Sequence, residues 1–217
     1  MNHTVLRVDA TLFPREAYVD IPVESTAVGG LIISNRDGLG IATVICRRAK
    51  KVGLMNRIRE HFGLELPGGP YRTVANDFAI AGIGPDTWLA TSDCCTNAFA
   101  VSLRQAIGYW ASVFDQSDSY AVLRLSGPKV RETLCKLVPI NLHPRTFKIG
   151  DAAVTAAAHL TATLWRLEDN ADGSAVFEIS VGRSFAASLW QGLSESAAEF
   201  GFVRAARRTI ADVRRNQ

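Results

Sequence analysis

The chain has 217 residues, 47% of them apolar and 21% charged, with a formal net charge of +3. That length permits one domain with a sizeable core, or two small lobes sharing an interface. No run approaches the ~18 to 20 uninterrupted apolar residues of a membrane span, and Met1 to Ala10 lacks the apolar middle of a secretory signal, so a cytoplasmic protein with no membrane partner is expected.

The charge is unevenly spread. Residues 202–217 hold Arg204, Arg207, Arg208, Arg214 and Arg215 against Asp212 alone, a local +4 that leaves the rest of the chain at −1. This implies a short basic C-terminal tail and no general nucleic-acid surface. RNA contact through that tail is the weakest of three functional readings, and it predicts a steep dependence on salt.

In chain order, Leu31-Ile32-Ile33, a turn at Asn35-Arg36-Asp37-Gly38, and Ile41-Ala42-Thr43-Val44-Ile45 read as a β-hairpin. Leu54, Ile58 and Phe62 then recur four apart, with Gly63 placed to stop a helix. This gives an N-terminal hairpin-and-helix lobe over residues 1–65. Leu66-Pro67-Gly68-Gly69-Pro70 breaks the chain and marks the lobe boundary.

After the break, residues 73–83 contain a strand, Gly84-Pro85-Asp86 a turn, and Thr87-Trp88-Leu89-Ala90-Thr91 a second strand. Ser92 or Asp93 is placed to cap a helix that runs to about Ile107, with Phe99, Leu103, Ala106 and Ile107 on its apolar side. A strand follows within residues 109–114.

Tyr120-Ala121-Val122-Leu123-Arg124-Leu125 is a further strand, and Ser126-Gly127-Pro128 turns it straight into a helix through a cap and a first-turn proline. Val130, Leu134, Leu137 and Val138 form that helix's apolar face, and Pro139 ends it. Residues 152–160 and 161–167 read as strands, Asn170-Ala171-Asp172-Gly173 as a turn, and residues 176–181 alternate with period two. Ser184 is placed to cap a last helix to about Phe200, stopped by Gly201. The strands at Trp88 and Phe177, each leading into a helix, look like structural counterparts. The sum is an α+β chain with helices packed over mostly antiparallel sheets.

Chemistry is sparse. No phosphate-binding or dinucleotide loop opens a helix, and no H-E-x-x-H or G-x-S-x-G occurs. Cys46, Cys94, Cys95 and Cys135 form no C-x-x-C pair and have no histidines at zinc-like spacing. No catalytic, cofactor-binding or metal-ligating residue is assigned. His143-Pro144-Arg145 is the one polar cluster that looks placed: Pro144 stiffens the loop and Arg145 offers a fork of donors to a carboxylate. Trp165 and Trp190 fit either a core or an interface.

Gly84-Pro85-Asp86-Thr87-Trp88-Leu89, Ser117-Asp118-Ser119, Leu125-Ser126-Gly127-Pro128, the run from Pro139 through His143-Pro144-Arg145 to Phe147, Arg183-Ser184-Phe185-Ala186, Leu189-Trp190 and Ala197-Ala198-Glu199-Phe200-Gly201 occur in one order. That ordered set, over residues 66–201, resembles the gamma subunit of heterotetrameric sarcosine oxidase and the small subunit of related N-methyl amino-acid dehydrogenases. Residues 202–217 look like a private extension. Asn141 and Thr87 depart from the family, which usually carries an acidic residue and a glutamate there.

The resemblance implies ferredoxin-like halves like those of the folate-binding domain of glycine-cleavage aminomethyltransferase. It implies an accessory subunit beside alpha, beta and delta partners, in a complex that oxidatively demethylates sarcosine or a related N-methyl amino acid and passes the one-carbon unit to tetrahydrofolate. FAD, FMN, NAD and tetrahydrofolate then belong to the partner subunits and none to this chain. The subunit contact is expected near His143, Arg145, Arg183 and Trp190. The alternative is a free-standing folate-binding or aminomethyltransferase-like protein.

Overall fold

The computed structural model describes residues 29–93 and 98–204. In chain order the elements are β1 (Leu31–Asn35), β2 (Gly40–Cys46), α1 (Lys51–Phe62), β3 (Arg72–Ala75), β4 (Phe78–Gly84), β5 (Thr87–Ser92), α2 (Phe99–Ile107) and β6 (Ala111–Asp115). There follow β7 (Tyr120–Ser126), α3 (Val130–Leu137), β8 (Ala152–Ala157), β9 (Leu160–Arg166), β10 (Phe177–Gly182), α4 (Ala186–Ala197) and β11 (Phe202–Arg204).

Two sheets result. One runs β3-β4-β5-β2-β6 and is antiparallel throughout; the other runs β11-β1-β7-β10-β9-β8 and is antiparallel except for the parallel β1–β11 pair. β2-α1-β4-β5-α2-β6 is a split βαβ unit with β3 added at its edge. β7-α3-β9-β10-α4 repeats it with β8 added, and β1 takes the place of the fourth strand, leaving β11 outside it. The α+β class and the ferredoxin-like halves are as expected, and β5 and β10, which carry Trp88 and Phe177, are the third strands of the two halves.

Period-two alternation sorts the strand residues between layers. On β2, Ala42 and Val44 meet the α1 and α2 residues Leu54, Ile58 and Leu103, while Ile41 faces the other sheet. On β10, Phe177, Ile179 and Val181 meet Leu134 on α3 and Leu189 on α4. Leu39, Ile41, Leu89, Val122 and Trp165 form a third, smaller cluster between the sheets. The order is therefore helices, sheet, sheet, helices. Each fully buried Leu, Ile or Phe in these clusters contributes about 1.5–3 kcal/mol.

The sheets are stitched along one seam. Tyr71 bridges to Asp151, the Ala152 N–H donates to the Pro70 carbonyl at 2.9 Å, and the Arg72 N–H donates to Gly150 at 2.7 Å. The Pro67-to-Pro70 segment lies so close over β4 that a Cβ on Gly82 would sit 2.0 Å from the Gly69 carbonyl oxygen. Trp88 Nε1 donates to the Pro67 carbonyl at 2.8 Å.

Several expectations need correction. The hairpin expected within residues 1–65 does not form: β1 pairs with β7 and β11, whereas β2 pairs with β5 and β6 in the other sheet. Alternation and turn chemistry are local, but each strand buries more by pairing with a distant strand of its own sheet. Residues 73–83 hold two strands, joined at Asn76-Asp77 with Asn76 at φ +53°. Ser184 is not a cap, because a 3-10 turn over Arg183–Phe185 precedes α4 and no side chain caps it. Ser126 caps nothing either, and Pro128 stands two residues before α3 begins. Gly63 does stop α1, at φ +70°, whereas α4 ends at Ala197 with Ala198 as its C-cap, short of the expected Phe200, and Gly201, also at φ +70°, follows a further turn over residues 198–200. Residues 202–204 of the expected tail form β11 against β1, while residues 205–217, and Cys94 and Cys95, lie outside the described residues. Among the described residues no helix is long and apolar enough to cross a membrane.

Candidate functional site

The turn after β7 is fixed by close approach. Gly127 adopts φ +111°, and a Cβ there would lie 2.7 Å from the Gly30 carbonyl oxygen, so only glycine fits without displacing β1. The same oxygen accepts the Lys129 N–H at 2.9 Å, and Thr133 Oγ1 donates back to the Lys129 carbonyl. α3 starts at Val130 on that footing and ends at Leu137, and the extended backbone of Val138 leads into the 139–149 loop.

His143 organises that loop. Its N–H donates to Asn141 Oδ1 at 2.9 Å, and its carbonyl accepts the Thr146 and Phe147 N–H groups at 2.8 and 2.9 Å. Its Nδ1 accepts the Arg145 N–H at 3.2 Å, which places the proton of the neutral ring on Nε2. Leu142 and Phe147 are buried and pin the loop to the core. Asn141, the residue that departs from the family pattern, is thus used as a local turn former. The Arg145 guanidinium is exposed, with no hydrogen bond or ion pair among the described residues.

Beside this loop lies an open groove of about 830 Å3, bounded by Gly127 to Glu132, Pro144 to Ile149 and residues 166–175. Two guanidiniums of the groove approach the Phe177 ring, Arg131 at 5.2 Å and Arg166 at 5.1 Å from its centroid. Buried Arg166 donates to the Leu167 and Val176 carbonyls and pairs with Asp169. Arg131 donates to the Leu142 carbonyl.

A second polar centre lies between the sheets. Glu178, 2% exposed, accepts from Arg124 Nε at 2.9 Å and from Trp165 Nε1 at 2.8 Å. Arg36 Nε stands 2.8 Å from its Oε1, but the N–H is not aimed at that oxygen, so this contact is electrostatic. Arg36 also pairs with Asp93. Burial pushes the Glu178 carboxyl up; Arg124, Arg36, Arg72 and the Trp165 N–H outweigh it, and the group is held below the ordinary glutamate range. Burial lowers Arg72, and Glu178 partly restores it. A cavity of about 30 Å3, one water's share of liquid volume, is lined by Arg36, Arg72, Asp93 and Glu178.

The sequence-predicted residues are not all brought together. His143 and Arg145 lie by the groove, at the Ser174-Ala175 end of β10, whereas Arg183 follows the other end of that strand. Arg183 donates to the Asp118 and Ser117 carbonyls at 2.6 and 3.3 Å and anchors the β6–β7 loop. Trp190 is half-buried on α4, edge-on to Phe202 at 6.3 Å, with Arg204 5.7 Å from its ring. Trp165 is core. Arg36, Arg72, Arg124 and Glu178 went unselected because they are scattered along the chain. A glutamate inside the alternating run of β10 was the one available signal.

A family model described as "Sarcosine oxidase, gamma subunit family" matches residues 49–199. Sarcosine oxidase subunit gamma of Arthrobacter sp is 33% identical over 104 residues, 48% of this chain and 51% of that protein. The chain thus spans about half the length of the curated relatives it matches. Among solved structures, a chain of heterotetrameric sarcosine oxidase from Corynebacterium sp. U-96, in complex with pyrrole 2-carboxylate, superposes with a TM-score of 0.67 at 25% identity, covering 82% of this chain and 88% of that one. Glycine cleavage system aminomethyltransferase T from Bartonella henselae superposes with a TM-score of 0.54 at 13% identity, covering 77% of this chain and 46% of that one, a likeness of fold.

Proposed function

Because the chain belongs to the sarcosine oxidase gamma-subunit family, we propose that it is an accessory, non-catalytic subunit of a heterotetrameric sarcosine oxidase-type complex. The complex oxidatively demethylates sarcosine or a related N-methyl amino acid and transfers the one-carbon unit to tetrahydrofolate. FAD, FMN, NAD and tetrahydrofolate reside in the alpha, beta and delta partners. The observation that carries this reading is the superposition on a chain of a heterotetrameric sarcosine oxidase over most of both chains. The free-standing folate-binding alternative is not favoured: its support is a fold likeness at 13% identity and a 29% identical match over 133 residues that covers 34% of an aminomethyltransferase of Saccharopolyspora erythraea, whereas the family model spans residues 49–199.

His143, Arg145, Arg183 and Trp190 are the proposed contact residues. A partner touching both Arg145 and Arg183 spans the length of β10. Arg145 is the strongest of the four: its guanidinium is exposed and, among the described residues, uncommitted, and the His143 hydrogen bonds hold its backbone in place, so little ordering cost attends pairing with a partner carboxylate.

The test is purification of the tagged chain from its native host. Three further proteins and flavin absorbance are expected to accompany it, and Arg145→Glu is expected to weaken that association while leaving the chain's own melting temperature unchanged. A colourless chain purified alone refutes the assembly. Undiminished association of the Arg145→Glu variant removes Arg145 from the contact.

A further inference from the structure

The groove beside the His143 loop is unevenly served with ion pairs. Each carboxylate on its lining already has a partner: Glu132 pairs with Lys129 at 2.9 Å, Asp169 with Arg166, and Asp172 accepts the Ser174 N–H at 2.8 Å. Its cations are less well matched. The Lys148 ammonium is exposed and makes no hydrogen bond or ion pair among the described residues, only its backbone N–H being bonded, to Asp151. The Arg131 guanidinium meets a carbonyl and the Phe177 ring but no carboxylate, and burial together with like-charged Arg166 holds it below the usual arginine range. Arg145, on the loop that bounds the groove, is a third cation with no carboxylate partner among the described residues.

The lining also has an apolar part. Val130 and Phe147 are buried there, while Ile149 keeps 41% of its surface in water. Beyond Ile149 the exposed Tyr71 ring lies so close over Gly150 that a Cβ there would sit 2.3 Å from its Cζ, which extends the apolar strip along the seam between the sheets.

Shape and charge together select the occupant. A small-molecule site encloses most of its ligand, whereas this groove is open and leaves one side of any occupant uncovered. A segment of a larger protein is covered on that side by its own subunit, and unpaired cations beside apolar surface call for carboxylates beside apolar side chains. We infer that the groove seats an acidic, partly apolar segment of a partner subunit, with carboxylates on Lys148, Arg131 and Arg145 and apolar side chains against Phe147 and Ile149. This inference rests on the accessory-subunit reading and adds to it the chemistry of the partner's contact. The exposed Lys148 and Arg145 then govern the rate and salt dependence of association, and the half-buried Arg131 its lifetime.

Carbodiimide coupling joins a carboxylate to an amine in contact with it, and mass spectrometry maps the product. In the complex purified through the tagged chain, Lys148 is expected to couple to an aspartate or glutamate of a partner subunit. As a second measurement, Lys148→Glu is expected to weaken association about tenfold at low salt and to flatten its salt dependence, with the chain's own melting temperature unchanged. Changing the coupled partner acid to lysine is expected to restore the association of that variant. A complex in which Lys148 couples only within its own chain, to a second copy, or to nothing overturns the inference and leaves the accessory-subunit reading standing. So does a Lys148→Glu defect that the exchanged partner residue fails to repair. A chain that purifies alone overturns both.

Discussion

Glu178 is the residue whose removal tests the reading of the inter-sheet layer most directly. Its carboxylate is 2% exposed and holds Arg124, Arg36 and the Trp165 N–H together. Glu178→Ala leaves two guanidiniums facing each other and a buried indole N–H unsatisfied. Breaking a buried pair from one side costs about 3–5 kcal/mol. The Arg36 and Arg124 side chains retain 24% and 39% exposure, which puts the cost at the lower end, about 3 kcal/mol. For a chain of this size that is a fall of about 6–12 °C in melting temperature by calorimetry at pH 7. Glu178→Gln keeps an acceptor for Trp165 and is expected to fall between Ala and wild type. The sign with pH follows from the depressed carboxyl. Its stabilisation is fully present above the unfolded value of about 4.3 and is lost as pH falls through the lower folded value. The wild type is therefore expected to lose stability faster than Glu178→Gln as pH falls below that unfolded value. Both variants melting within about 1 °C of wild type, with an unchanged acid limb, refutes the reasoning.

Three further outcomes are expected. Gly82→Ala places a Cβ 2.0 Å from the Gly69 carbonyl oxygen and must move the Pro67-to-Pro70 segment, at a cost of about 1–3 kcal/mol read as a lower urea midpoint. Ala158→Asn with His159→Gly suits a two-residue β8–β9 turn whose residues sit at φ +47° and +67°, and is expected to gain about 0.5–1 kcal/mol in the same assay. Arg183→Ala removes two donors to the Ser117 and Asp118 carbonyls, so hydrogen exchange in the β6–β7 loop is expected to rise, with a loss of about 1 kcal/mol in stability.

What was legible in the sequence was whatever depends on near neighbours. Leu54 and Ile58 on α1, Gly63 as its left-handed stop, and the Phe177-to-Val181 alternation all lie where the pattern places them. Partner choice was not legible. Leu31 to Ile45 satisfies every local rule for a hairpin, yet burial in two different sheets decides the pairing. The Asn76-Asp77 turn was readable and was passed over inside an apolar run. Capping failed where a serine was available but the backbone found other bonds, as at Ser184, where a 3-10 turn intervenes. At the site, His143-Pro144-Arg145 stood out because its stiffening is local. The groove and the Glu178 centre draw on residues from Arg36 to Glu178, and no spacing rule joins those.

The position of β1 has a consequence for synthesis in the cell. This strand is made early but completes a sheet whose adjoining strands, β7 and β11, come much later, and β7 ends about 90 residues after β1 does. At roughly 5–20 residues per second the ribosome takes about 5–18 s to supply that partner. The β2–β6 half is contiguous and its last strand ends at Asp115, before β7 begins, so it is complete ahead of β7 while Leu31-Ile32-Ile33 remains an unpaired apolar strand at its margin. The nascent chain is thus most exposed to misassociation before Ser126 emerges, and a chaperone that shields short apolar strands matters most to this protein in that window.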